Sequence, residues 1–217
     1  MPAFRLDPYL WLHITGLAAV PLFLGVCLLG LAIGDPVLPV AVEFALVSLP
    51  GLLLVLWMQY YRPFYIYSLL AVATHPQQLS SQKRQILDRF LARKRRGAMG
   101  WLVPLLVAAV SVGILWQIDL WAPIASSAVA WIPQWRGLGL LVTAAAFFLV
   151  NLFTQVPLSV LEVLLTPAAT FTTTSPLSVE EIPTNFTIIG WQLNRGILPV
   201  KEPPETATST APSEPTS

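Results

Sequence analysis

The sequence predicts an all-α integral membrane protein: four transmembrane helices, a cytoplasmic amphipathic helix and a disordered C-terminal tail. Three observations carry this. Only 11% of the 217 residues are charged and 55% are hydrophobic, whereas a soluble domain is about 25% charged. Four apolar runs approach or exceed the roughly 20 residues a helix needs to cross the hydrocarbon. Seven of the twelve lysines and arginines crowd into one stretch, Ser80 to Arg96.

The elements follow in order. Pro8 to Gly34 contains no Asp, Glu, Lys or Arg, and His13 is its one titratable imidazole. The run meets Gly34-Asp35-Pro36 rather than a small-residue cleavage site, so it reads as a retained span and not a signal peptide. GDPVLP then makes a tight turn, which sets spans one and two antiparallel. Glu43 is followed by a charge-free stretch to Tyr61, and two more such stretches cover Gly97–Ile118 and Gly137–Leu161. Spans are placed near 10–33, 38–60, 100–121 and 137–163, within a membrane domain of residues 1–165. Lipid offers no partners to backbone N–H and C=O groups, so each span must be helical. Each also holds a proline (Pro21, Pro50, Pro104, Pro157), which predicts kinks. Gly30 and Gly34 match the small-residue helix-packing spacing.

Between spans two and three lies the basic loop 62–98. It opens with Pro63–Ala73 (PFYIYSLLAVA), which is too short to span. Its tyrosines suit the headgroup level, so it is expected to lie in the interface or to extend span two past a bend at Pro63. Next come Lys83, Arg84, Arg89, Arg93, Lys94, Arg95 and Arg96. Cytoplasmic loops are enriched in such residues, which orients this loop to the cytoplasm. Four spans then bring both termini to the same side. Eleven of the twelve cations fall there, and only Arg136 falls outside. Within the stretch, Ile86, Leu87, Phe90 and Leu91 recur at helical spacing. The segment is expected to lie on anionic lipid headgroups, with docking of an acidic partner as the sharper alternative.

The loop from Ala122 to Gln134 carries Trp131, with Trp121 and Trp135 beside it, and reads as an outer interfacial belt. Residues 166–200 form a juxtamembrane segment. Phe186–Ile189 is expected to be a short strand and Asn194-Arg195-Gly196 a turn. About 35 residues are too few for an independent core. The segment should therefore dock on the membrane domain or a partner, with Trp191 as anchor. Residues 201–217 (KEPPETATSTAPSEPTS) hold no large apolar side chain and should be disordered.

Chemistry is sparsely encoded. Ionisable and amide groups within spans are the default candidates: His13, Glu43, Asn151, Gln155 and Glu162. Glu43 is placed about two turns inside span two. His13 and Glu162 share a similar depth, and a contact between them would lower both desolvation costs. Asn151 and Gln155 lie one turn apart, which predicts interhelical hydrogen bonds. No metal-ligand spacing, phosphate loop or nucleophile elbow is present, so no cofactor, metal or catalytic residue is expected. One local basic cluster in a chain of net charge +1 does not suit nucleic-acid binding.

Three stretches carry a resemblance: PYLWLHITGLAAVPLFLGVCLLGLAIGDP, LWMQYYRPFYIYSLLAVATHPQQLSSQKRQIL and the Pro/Thr/Ser tail. Together they resemble cyanobacterial membrane proteins described by a low-complexity C-terminal tail. The resemblance implies a cyanobacterial plasma or thylakoid membrane and transfers no functional residue. The functional expectation is a non-enzymatic scaffold or assembly factor of a larger membrane complex. The alternative is a small transporter or channel subunit using the intramembrane carboxylates.

Overall fold

The computed structural model describes residues 3–69, 71–95, 98–167, 169, 171 and 175–194, with backbone alone at 3, 93–95 and 98–99. The expected tail 201–217 and most of the expected turn at 194–196 lie outside the described residues.

The described chain is mostly helical: α1 (Pro8–Thr15), α2 (Val20–Leu31), α3 (Val40–Tyr61), α4 (Ser81–Arg95), α5 (Ala98–Ala125), α6 (Arg136–Leu164) and α7 (Glu181–Asn185). Three short strands, β1 (Ser68–Leu69), β2 (Val72–Thr74) and β3 (Trp191–Leu193), form a sheet in that order. Four helical runs are long and apolar enough to cross a membrane: Pro8–Leu31, Val40–Tyr61, Gly100–Val129 and Arg136–Leu164. The first is broken by a 3-10 turn at Gly16–Ala19. Pro21, in the first turn of α2, has no N–H to return to the preceding turn. The other three prolines sit inside continuous helices. The third run reaches further than expected, because Leu115, Ile118 and Ala122 share one buried cluster. That apolar face carries α5 past Asp119, where the sequence reading begins a loop at Ala122.

Helix α6 packs against α1, α2, α3 and α5. Its inward face runs through Gly139, Thr143, Phe147, Asn151, Gln155 and Ser159, all buried, at the three-to-four spacing of one helical side. Two glycine contacts set its approach. A Cβ on Gly30 would stand 2.5 Å from Thr143 Oγ1, and one on Gly139 would meet the Gly30 carbonyl oxygen. A Cβ on Gly51 would lie 2.8 Å from the Cα of Phe148. Cys27, Val47, Leu115 and Phe147 fill the middle of the bundle. Leucines such as Leu22, Leu53, Leu106 and Leu141 point outward and are exposed, as a lipid-facing surface requires.

At the end of the bundle that carries both the N-terminal segment and the basic helix sits a second core, the cap. It joins Phe4, Tyr9 and Leu10 to Tyr65, Tyr67, Ile86, Leu87, Phe90, Ile182 and Phe186. Pro63–Ala73 does not prolong α3. It turns back through the β1–β2 hairpin, and Tyr65, Ile66 and Tyr67 are fully buried. Hydrophobic burial on both faces of this piece outweighs the preference of tyrosine for headgroups. The apolar side of α4 (Ile86, Leu87, Phe90, Leu91) is likewise buried in the cap. The strand expected at Phe186–Ile189 is displaced to Trp191–Leu193, which pairs in parallel with β2. Phe64 and Thr187 make only an isolated bridge, and the Phe186 side chain is drawn into the core instead.

Asp7 ties the cap to the first span. Its Oδ1 accepts from Tyr9 N at 2.9 Å, capping α1, and its Oδ2 accepts from the Tyr67 hydroxyl at 3.2 Å. Burial first, and then the Asp7 charge, push the Tyr67 phenol well above its ordinary range. Burial does the same to Tyr65. Both phenols are neutral when folded and ionise near pH 10 when unfolded. Their contribution to stability is therefore complete below about pH 10 and is lost as pH rises through the folded values. Alkaline titration followed by phenolate absorbance should show the Tyr65 and Tyr67 signals, identified by their loss in Tyr65→Phe and Tyr67→Phe, appearing only as the cap opens. Ionisation of Tyr65 and Tyr67 in the ordinary phenol range with the cap still folded would contradict the burial.

Candidate functional site

The most strongly built polar constellation is at the opposite end, where α2, α3 and α6 converge. Arg136 begins α6 and Glu43 lies in the first turn of α3. Arg136 Nε and Nη2 donate to Glu43 Oε2 at 2.8 and 2.6 Å. Nη1 donates to the carbonyls of Leu31, the last residue of α2, and Ile33 at 2.6 and 3.3 Å. Glu43 Oε1 accepts from the N–H groups of Val37 and Leu38 at 2.9 and 3.1 Å. Both side chains are buried. The cation thus sits at a helix C-terminus and the anion at a helix N-terminus, where each complements the backbone dipole. Glu43 accepts four hydrogen bonds and Arg136 donates through all three of its nitrogens, so the pair acts as a staple across three helices.

This corrects one expectation and adds to another. Glu43 is one turn into its helix, not two, and Arg136, the one cation assigned to the outer side, is buried as its ion-pair partner. Asp35, Asp119 and Gln134 join the pair around a cavity of about 480 Å³.

A second cavity, of about 340 Å³, lies at the cap junction. Gln59, Arg89, Phe90, Ser159, Glu162 and Thr166 line it. His13 is elsewhere: its Nε2 is 2.8 Å from the Ile66 carbonyl oxygen and its ring meets Phe64 edge-on. The sequence thus pairs His13 with the wrong partner. The turn at Ile66 that supplies the carbonyl is placed by tertiary packing and has no local signal.

Asn151 and Gln155 share the inward face of α6, as their spacing expects, but do not make the expected interhelical bonds. Asn151 Nδ2 donates to Phe147 O one turn back, which is local back-bonding. Asn151 Oδ1 and both amide atoms of Gln155 are buried with no described partner. The interhelical bond is made one turn on, where Ser159 Oγ donates to Gln59 Oε1 at 3.1 Å. An unpaired buried amide costs about 1–3 kcal/mol. Gln155→Leu should therefore hold or raise stability by up to about 2 kcal/mol in a detergent melt. A clear loss would show that Gln155 has a partner in the folded protein.

The basic helix is partly engaged within the chain. Arg84 Nη1 donates to Leu177 O at 3.4 Å. The Arg89 guanidinium lies 5.6 Å from the Phe171 ring centroid, and Phe171 stacks on Phe4. Lys83, Arg84 and Arg89 are half-buried. The side chains of Arg93, Lys94 and Arg95, and Arg96 as a whole, lie outside the described residues. Trp191 is 83% exposed, at the edge of the sheet. Among the described residues, no cluster of three His, Cys, Asp or Glu side chains is arranged to hold a metal.

The family model described as low-complexity tail membrane protein-like matches residues 6–199. Neither a curated protein nor a solved structure matches the chain. The match runs from the N-terminal segment through all four spans, α4 and the sheet, and so takes in the bundle and the cap together. By that match and its four apolar helices, this integral membrane protein belongs to the low-complexity tail membrane protein-like family.

Proposed function

We propose that the protein is a non-enzymatic scaffold or assembly factor of a larger membrane complex, held in a plasma or thylakoid membrane with the cap and both termini in the cytoplasm. One observation carries the reading: the two polar-lined cavities lie toward opposite ends of the bundle with the apolar layer of Cys27, Val47, Leu115 and Phe147 between them, and a further cavity of about 330 Å³ in the bundle is lined almost wholly by apolar side chains. Glu43 and Glu162 lie on opposite sides of that layer, and Glu43 is neutralised by Arg136. An ion crossing the bundle would have to shed its water against hydrocarbon side chains. The elaborated part of the molecule is instead the cap, which is folded from segments far apart in the chain. The excess of positive charge at its end supports the cytoplasmic orientation.

The basic helix is the surface proposed to meet acidic partners and anionic headgroups. Full-length protein with Arg93, Lys94, Arg95 and Arg96 all changed to glutamate should insert but recover fewer co-purifying membrane proteins in mild detergent. A reversed orientation in protease-protection assays would assign the charges to topology. Unchanged recovery together with unchanged orientation would count against both roles.

The alternative reading, a transporter or channel subunit, draws on Asn151 Oδ1 and the Gln155 amide, which are buried with no described partner. It requires a path past Phe147. Proteoliposome flux that disappears in Glu162→Gln would favour it over the scaffold.

A further inference from the structure

We propose that β3 is a membrane-interfacial anchor, with Trp191, Leu193 and the neighbouring Ile189 seated in the headgroup layer of the bilayer. Three observations support it. First, the strand hangs between two helix ends. Arg62, which caps the C-terminus of α3, donates through Nη2 to the carbonyls of Pro183 and Phe186 at 2.6 and 3.2 Å. At the other side, β3 pairs with β2, and Thr74 of β2 lies 3.1 Å, Oγ1 to Oη, from Tyr9 in the first turn of α1. Both tethers sit at ends of helical runs long and apolar enough to cross a membrane, which sets the strand between them near the level of those ends.

Second, the register selects a face. Trp191 pairs with Val72 and Leu193 with Thr74, while Gln192 pairs with Ala73. Side chains alternate along a strand, so Trp191 and Leu193 share the face on which Thr74 meets α1. Gln192 takes the other. The apolar face therefore continues the side that rests on a membrane helix. Gly190 permits the approach: its φ is +100°, and a Cβ there would collide with the Ala71 carbonyl group.

Third, the face is exposed and suits its medium. Trp191 is 83% exposed, and Leu193 and Ile189 are 44% and 42% exposed. In water such a face is a liability at an open sheet edge. At the headgroup level an indole is at its preferred depth, and the excess of lysine and arginine at this end complements anionic lipid. Trp11, Trp57 and Tyr61, near the same ends of α1 and α3, are also exposed and extend the belt.

The test is spin-label accessibility in the full-length protein. The buried Cys27 is replaced by alanine, and Trp191→Cys, Gln192→Cys and Leu193→Cys are labelled one at a time. Each is reconstituted in vesicles of phosphatidylcholine with phosphatidylglycerol. Labels at 191 and 193 are expected to collide with oxygen several-fold more, relative to a water-soluble nickel complex, than the label at 192. Water-like accessibility at 191 and 193 would overturn the anchor. Immobilised labels shielded from both reagents would also overturn it, by showing a protein surface (a second copy or a partner) on this face.

Discussion

Gly139→Leu is expected to leave little folded protein in the membrane. The added Cβ would collide with the Gly30 carbonyl oxygen and lie 3.0 Å from Ile33 Cβ. Backbone on one side and a buried β-branched residue on the other leave no flexible group to yield. Helices α2 and α6 would have to separate, and Arg136, three residues earlier on α6, would be pulled from Leu31 O. The expected cost is at least about 3 kcal/mol, the upper part of the overpacking range. Gly113→Leu is the control, because a Cβ there meets nothing within 4 Å. Detergent melts and membrane yield should separate the two variants clearly. Equal behaviour would mean that the α2–α6 crossing is not the close contact described above.

Arg136→Met is expected to be nearly as severe. It leaves the Glu43 carboxylate buried against the bundle and deprives the carbonyls of Leu31 and Ile33 of their donor. Removing one partner of a buried pair costs about 3–5 kcal/mol, whereas replacing both with apolar groups is often close to neutral. The double variant Glu43→Met with Arg136→Met should therefore recover most of the lost stability, giving a large coupling in a double-mutant cycle. Additive losses would contradict the pair. The excess charge on the remaining partner is the physical reason for the asymmetry.

The spans were legible because lipid imposes a one-dimensional rule, in which length and absence of charge are local properties. Gly30 was legible in part: it sits at a close helix approach, but its partner in the small-residue spacing, Gly34, lies past the end of α2 with φ +68° and belongs to the turn. The Glu43–Arg136 staple was not. The two residues stand 93 positions apart, and each by itself resembles an ordinary boundary charge. Their pairing depends on α3 and α6 lying side by side. The cap was hidden in the same way. PFYIYSLLAVA has the composition of an interfacial segment, and only Arg62, Phe64 and β2 meeting residues 183–193 turn it into a core. Trp191 stood out as the side chain expected to dock its segment, but it is 83% exposed and the segment is held through Ile182 and Phe186 instead; the seat proposed for it at the membrane surface rests on the register with β2 and the tether to Tyr9.

Blue-native electrophoresis of native membranes in mild detergent, with mass spectrometry of the band that holds this protein, tests the scaffold reading most directly. Migration in a large complex with defined partners, present in repeated preparations, is the expected result. Migration as a small particle without partners, alongside Glu162-dependent flux in proteoliposomes, would contradict it.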